Sequence, residues 1–144
     1  MLIGARALLI RGPAGSGKSR LALALIEAAR SGVIPFARLI GDDRVHVTAA
    51  HGRLLVRPAP ALAGMIEARG LGLRVLPYEP VAVVGAIVDL KAADAERLPS
   101  VSPVAIGGVA LPRLAVAPGN NALPLVVAWL TTTDFPTAQD LGTG

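Results

Sequence analysis

The sequence predicts an α/β domain whose mixed sheet carries a phosphate-binding loop at one end. Three observations predict it. An apolar run, Ala7-Leu8-Leu9-Ile10, leads into the glycine-rich stretch Gly12-Pro13-Ala14-Gly15-Ser16-Gly17-Lys18-Ser19. Leu21 to Arg30 follows, rich in the helix formers Ala and Leu. Beyond that helix come few helical stretches and many short strand-like ones, which excludes a full doubly wound sheet.

Taken in order, residues 6–11 predict a strand, 12–19 a loop, and 18–30 a helix with Leu21, Leu25 and Ile26 on its apolar face. Ser31-Gly32 supplies a helix stop. Ala37 to Ile40 reads as a short strand ending at Gly41-Asp42-Asp43. Residues 44–57 read as a hairpin that turns at His51-Gly52. Pro58 to Met65 is irregular, with room for one helical turn, and Ile66 to Leu73 contains Glu67, Arg69, Gly70 and Gly72. Val81 to Leu90 is the strongest strand signal and predicts a central strand. A loop or short helix is expected over 91–100. Strands are expected at Val104 to Ile106 and Leu114 to Val116, around a Gly107-Gly108 turn. Pro118 to Asn121 reads as a loop and Ala122 to Thr132 as a helix carrying Trp129. Residues 1–133 form the expected domain, and 134–144 read as a frayed tail.

Composition narrows the class. With 144 residues, 53% hydrophobic and 17% charged, the chain suits one globular domain and is not disordered. Val81 to Val88 is too short to cross a bilayer, so no membrane partner is expected. Met1-Leu2-Ile3-Gly4 leads straight into the first strand, so no signal peptide is expected. Cysteine is absent, which excludes a disulfide framework, and a nucleotide site points to the cytoplasm. The net charge of +4 invites a nucleic-acid reading. However, the arginines are spread along the chain and aromatics are few, so no nucleic-acid partner is expected.

The stretch from Gly12 to Ser19 matches G-x-x-x-x-G-K-[S/T], and its strand–loop–helix context is the one that motif requires. Glycines let the backbone turn tightly and approach an anion. Successive N–H groups then form a concave nest, and the following helix adds its positive end. Lys18 is one of only two lysines in the chain and can reach the β- and γ-phosphates of a nucleotide. The Ser19 hydroxyl can bind Mg²⁺.

Such a loop needs carboxylates to hold the metal and orient a nucleophile. Two places offer them. Asp42-Asp43 ends the strand after the first helix, and a right-handed crossover brings that strand close to the first. Adjacent residues on an extended chain point to opposite sides, so one aspartate can face metal and the other an acceptor. Asp89 closes the apolar strand Val83 to Val88 and fits a metal-binding aspartate on pattern alone. The residues themselves leave the choice between these places open.

Gly12 to Ser19, Gly41-Asp42-Asp43 and Ile66-Glu67-Ala68-Arg69-Gly70-Leu71-Gly72-Leu73 together resemble HPr kinase/phosphorylase. That family carries a phosphate loop, a paired aspartate after the next strand and a signature close to (I/L)-E-V-R-G-(I/L)-G-(I/L). Leu111-Pro112 and Pro118-Gly119-x-Asn121 resemble its later elements, and the likeness runs from about Leu8 to Trp129. The short chain looks like the alphaproteobacterial forms that lack the N-terminal domain.

The resemblance implies an ATP-dependent protein-serine kinase acting on HPr or an HPr-like phosphotransferase-system protein. It also implies a fold like the nucleotide domain of phosphoenolpyruvate carboxykinase, and usually a hexamer. Carried over, Lys18 and the rest of Gly12 to Ser19 bind phosphates, and Ser19 binds Mg²⁺. Asp42 is the general base, Asp43 supports the metal, Glu67 completes its coordination and Arg69 lies near the phosphates. The resemblance thus favours Asp42 and Asp43 over Asp89. The chain departs from the family in three ways. No His precedes the loop, Arg20 stands where an acidic residue is usual, and Asn120 replaces the Arg of the P-G-R-N loop. The implied activity is therefore the kinase direction, with phosphorylase activity least supported. The rivals are an ATP-binding regulator without catalysis and another small phosphotransferase or NTPase using Asp89.

Overall fold

The computed structural model describes residues 1–42, 44–100 and 103–132. Its elements run β1 (Leu2–Ile3), β2 (Arg6–Arg11), α1 (Lys18–Arg30), β3 (Ala37–Arg38), β4 (Val45–Ala50) and β5 (Arg53–Pro58). A 3₁₀ turn at Pro60–Leu62 precedes β6 (Met65–Ala68) and β7 (Gly72–Val75). Then come β8 (Ala82–Asp89), β9 (Val104–Ile106), β10 (Val109–Leu111), β11 (Arg113–Ala115) and α2 (Ala122–Thr131). The main sheet is mixed, in the order β3-β1-β2-β8-β5-β4, with β11 also on β8.

β8 is the axis of this sheet. It pairs in parallel with β2 along one edge. Its other edge is shared, antiparallel with β5 at Ala82 and Val83 and parallel with β11 from Ile87 to Asp89. Both faces are covered, which is why its sequence is apolar almost throughout. Val88 joins the core cluster under α1, while Ile87 joins the cluster on the opposite face, and both are fully buried. The β2–β8 register shifts between Ala7↔Val84 and Leu8↔Ala86, leaving Gly85 without a partner. Val84 before the shift and Ile87 after it lie in the same cluster, so the shift reverses which face odd and even positions take.

α1 packs on the sheet through Leu21, Ala22, Leu25 and Ala28, spaced as one helical face requires. It stops in a Schellman motif. Gly32 takes a φ of 77°, its N–H donates to Ala29 O, and the Val33 N–H donates to Ala28 O. The β4–β5 hairpin turns through His51 and Gly52, both at positive φ, the mirror-image turn that suits strand twist.

The strand pairing adds to or corrects the sequence reading at three points. The strand after α1 lies close to β2, with the short β1 inserted between β2 and β3. β9 pairs across Gly107-Gly108 with β10, not with the Leu114 run. Pro112, which has no N–H, separates β10 from β11 and frees β11 to join β8. Ile66 to Leu73, which carried no element in the sequence reading, falls within an antiparallel hairpin, β6–β7, that stands apart from the main sheet. The expected tail, 134–144, lies outside the described residues. No helix among the described residues is long and apolar enough to cross a membrane.

Leu25 is fully buried in the cluster between α1 and the sheet. Leu25→Ala should therefore lower stability by about 2–5 kcal/mol, read from the urea midpoint. A loss under about 1 kcal/mol would contradict this packing.

Candidate active site

The phosphate loop joins β2 to α1, and its glycines do separate jobs. A Cβ on Gly12 would meet Ser16 Oγ at 2.5 Å and Leu90 Cβ at 3.2 Å, so only glycine fits where the chain leaves the sheet. Gly15 and Gly17 take φ values of 76° and 95°, and a Cβ on either would point into open space. The loop is thus curled. α1 begins with no side-chain cap and no acidic residue in its first turn. Its first amides keep their unsatisfied, positive character, which suits an anion. Ser16 Oγ is buried without a hydrogen-bond partner. Lys18 Nζ folds back over the loop and donates to Gly12 O at 2.7 Å.

Asp42 lies against this loop. Its Oδ1 accepts from Ser19 Oγ at 2.6 Å, and its Oδ2 accepts from the Glu67 N–H at 3.1 Å. Lys18 and Asp42 also line one small cavity of about 40 Å³. A larger cavity, about 270 Å³, lies between the C-terminal half of α1 and residues 35–38, and no carboxylate lines it. The smaller one brings a lysine and a carboxylate together.

Three segments distant in sequence thus meet at one carboxylate: the first turn of α1, the end of the β3 segment and β6. Glu67 reaches it through its backbone, and its side chain is exposed. Arg69 is exposed in the turn after β6. Asp43 lies outside the described residues. Arg20 is exposed on the first turn of α1, and His46 is exposed on the edge strand β4. Asn121 caps α2, its Oδ1 accepting from the Leu123 N–H at 3.2 Å.

These groups fit a magnesium nucleotide. No group of three His, Cys, Asp or Glu side chains gathers among the described residues. Mg²⁺ is commonly held by one or two carboxylates plus substrate phosphates, and Ser19 offers a hard oxygen beside an anion-binding loop, with Glu67 on the segment that meets it through Asp42.

Asp89 is differently engaged. Arg11 grips it with two hydrogen bonds, Nε to Oδ1 at 2.7 Å and Nη2 to Oδ2 at 2.8 Å. Arg113 Nε donates to Oδ2 as well. After the register shift at Gly85, Val88 and Leu90 pack on the α1 side of the sheet, so Asp89 falls on the other side. Asp42 thus meets the loop hydroxyl, whereas Asp89 meets two guanidiniums. The sequence reading missed both arginines. Arg11 directly before Gly12 was the available signal, and no spacing rule linked it to Asp89.

No family model matches the chain. The HPr kinase/phosphorylase of Clostridium beijerinckii is 39% identical over 66 residues, 46% of this chain and 20% of that protein. That of Clostridium tetani is 37% identical over 70 residues, 49% of this chain and 21% of its own length. That of Mycoplasma mycoides subsp. mycoides is 38% identical over 65 residues, 45% of this chain and 18% of its own length. The chain thus spans about a fifth of the length of the curated relatives it matches. The Hpr(Ser) kinase/phosphatase from Coxiella burnetii superposes with a TM-score of 0.71. That match covers 89% of this chain and 82% of the other, at 24% identity.

The chain shares the Hpr(Ser) kinase/phosphatase fold. The resemblance drawn from its motifs is found again in these relatives, over about half of the chain.

Burial alone would raise the Asp89 carboxyl, but the hydrogen bonds from Arg11 and Arg113 outweigh it and hold it below the ordinary carboxylate range. A depressed folded value contributes stability above the unfolded value, near pH 4, and that stability is lost as pH falls through the folded value. The melting temperature should drop below about pH 4, and Asp89→Asn should flatten that drop. An unchanged acid limb in the variant would contradict the pairing.

Proposed function

We propose that the chain is an ATP-dependent protein-serine kinase whose acceptor is HPr or an HPr-like phosphocarrier. One observation carries the reading: the 2.6 Å hydrogen bond from Ser19 Oγ to Asp42 Oδ1, which brings a carboxylate to the metal-binding hydroxyl of a phosphate loop. The curated relatives named HPr kinase/phosphorylase support the choice of reaction class.

The loop amides and the first turn of α1 cradle the nucleotide phosphates. Lys18 leaves Gly12 O and turns to the β- and γ-phosphates. Ser19, Asp43 and Glu67 would hold Mg²⁺, which would supply charge neutralisation at the phosphates. Asp42 accepts the proton of the acceptor seryl hydroxyl. The seryl oxygen bonds to the γ-phosphorus as the bond to the ADP oxygen breaks. Each Asp42 oxygen accepts one hydrogen bond and has capacity for another, so the carboxylate is free to take that proton. Arg69 balances charge near the phosphates. The chain works in the cytoplasm as a homo-oligomer, hexameric as the resemblance implies.

The rival that uses Asp89 as its metal ligand is disfavoured by the two arginines that occupy that carboxylate. A regulator without catalysis differs in one observable, the absence of phosphate transfer.

Lys18→Ala should abolish ATP-dependent labelling of HPr, and unchanged labelling would end that role. Asp42→Asn should slow transfer by about 10²–10⁴-fold while Mg-ATP still binds. Transfer at the wild-type rate would remove Asp42 as the base.

A further inference from the structure

Asp89 is the carboxylate that the proposed reaction does not use, yet it sits one strand away from the loop. Arg11, its bidentate partner, is the last residue before Gly12. Arg113 bridges Asp89 and Asp94, with Nη1 and Nη2 on Asp94 at 2.8 and 3.0 Å. The side chains of Asp89 and Arg113 are only 13% and 19% exposed.

The backbone joins at the same level. The Leu90 N–H donates to Arg11 O and the Val116 N–H to Asp89 O, both at 2.8 Å. The ends of β2, β8 and β11 are therefore stitched twice, by main chain and by side chain. Little slack remains beyond the stitch, because Gly12 is already packed between Ser16 and Leu90. Gly12 O is also where Lys18 rests.

We infer that Asp89 is a positioning residue for the phosphate loop: by gripping Arg11 and Arg113 it fixes where Gly12 leaves the sheet, and so where the loop amides and Lys18 point. This rests on the reading of the loop as a nucleotide site. A bidentate Arg–carboxylate pair fixes orientation as well as distance. Such an anchor is most consequential at the carboxyl ends of parallel strands, where open α/β sheets bind ligands.

A double-mutant cycle with Arg11→Gln, Asp89→Asn and the pair tests it. Mg-ATP affinity is measured by titration calorimetry at a temperature where circular dichroism shows each variant folded. Each single substitution should weaken Mg-ATP binding by about tenfold, and the pair should be no weaker than Asp89→Asn alone. Arg11→Lys keeps the charge but loses the fork, so it should weaken binding too. That variant carries the test if Asp89→Asn does not fold. Affinities within about twofold of wild type, with only the melting temperature lowered, would make the cluster purely structural and overturn the inference. Intact affinity with transfer abolished in Asp89→Asn would return Asp89 to the metal and overturn it equally. A wild-type chain that does not bind Mg-ATP would instead remove the functional reading, and this inference with it.

Discussion

Everything at the candidate site hangs on one contact, the hydrogen bond between Ser19 Oγ and Asp42 Oδ1. A phosphate loop alone is an anion cup, and many unrelated proteins carry one. A carboxylate held against its hydroxyl is a second, independent requirement. Here it is met by a residue 23 positions along the chain, whose other oxygen is held by the backbone of a third segment. Because both oxygens are tied, Asp42 is oriented before any ligand arrives. Preorganised groups of this kind are effective in phosphoryl transfer, where the protein mainly positions reactants and balances charge.

The two candidate aspartates end up with different partners for reasons that lie in the sheet. Both sit at the end of an extended segment near the loop. The β2–β8 register shift at Gly85 moves Val88 and Leu90 to the α1 face, and Asp89 then shares its face with Arg11 and Arg113. There two guanidiniums neutralise it and hold the strand ends together. Asp42, which forms no ion pair among the described residues, is left for the hydroxyl. One carboxylate thus ties strand ends together while the other meets the loop hydroxyl.

Much of this was legible in the residues. The bounds of β2 and α1 follow from an apolar run, a glycine loop and an Ala/Leu stretch, all local signals. The central place of β8 follows from its unbroken apolar character. The turn at His51-Gly52 and the stop at Gly32 follow from residues that tolerate positive φ. Other features were not legible because they are long-range. β1 is too short to show a period, and its insertion beside β2 depends on pairing across the chain. The fate of Asp89 depends on a register shift whose only local trace is Gly85, and on Arg113, 24 residues away. The β6–β7 hairpin hides behind Gly70 and Gly72, which interrupt any alternation. The catalytic assignment of Asp42 came from the motif resemblance, whereas its contact with Ser19 is a matter of geometry.

The most direct measurement is a Mg-ATP titration followed in the two-dimensional amide spectrum of the protein. The account predicts that the amides of residues 14–19, Asp42 and Glu67 shift together along one saturable curve. No saturable shift, or shifts confined to the far end of α1 around residues 33–38, would contradict it.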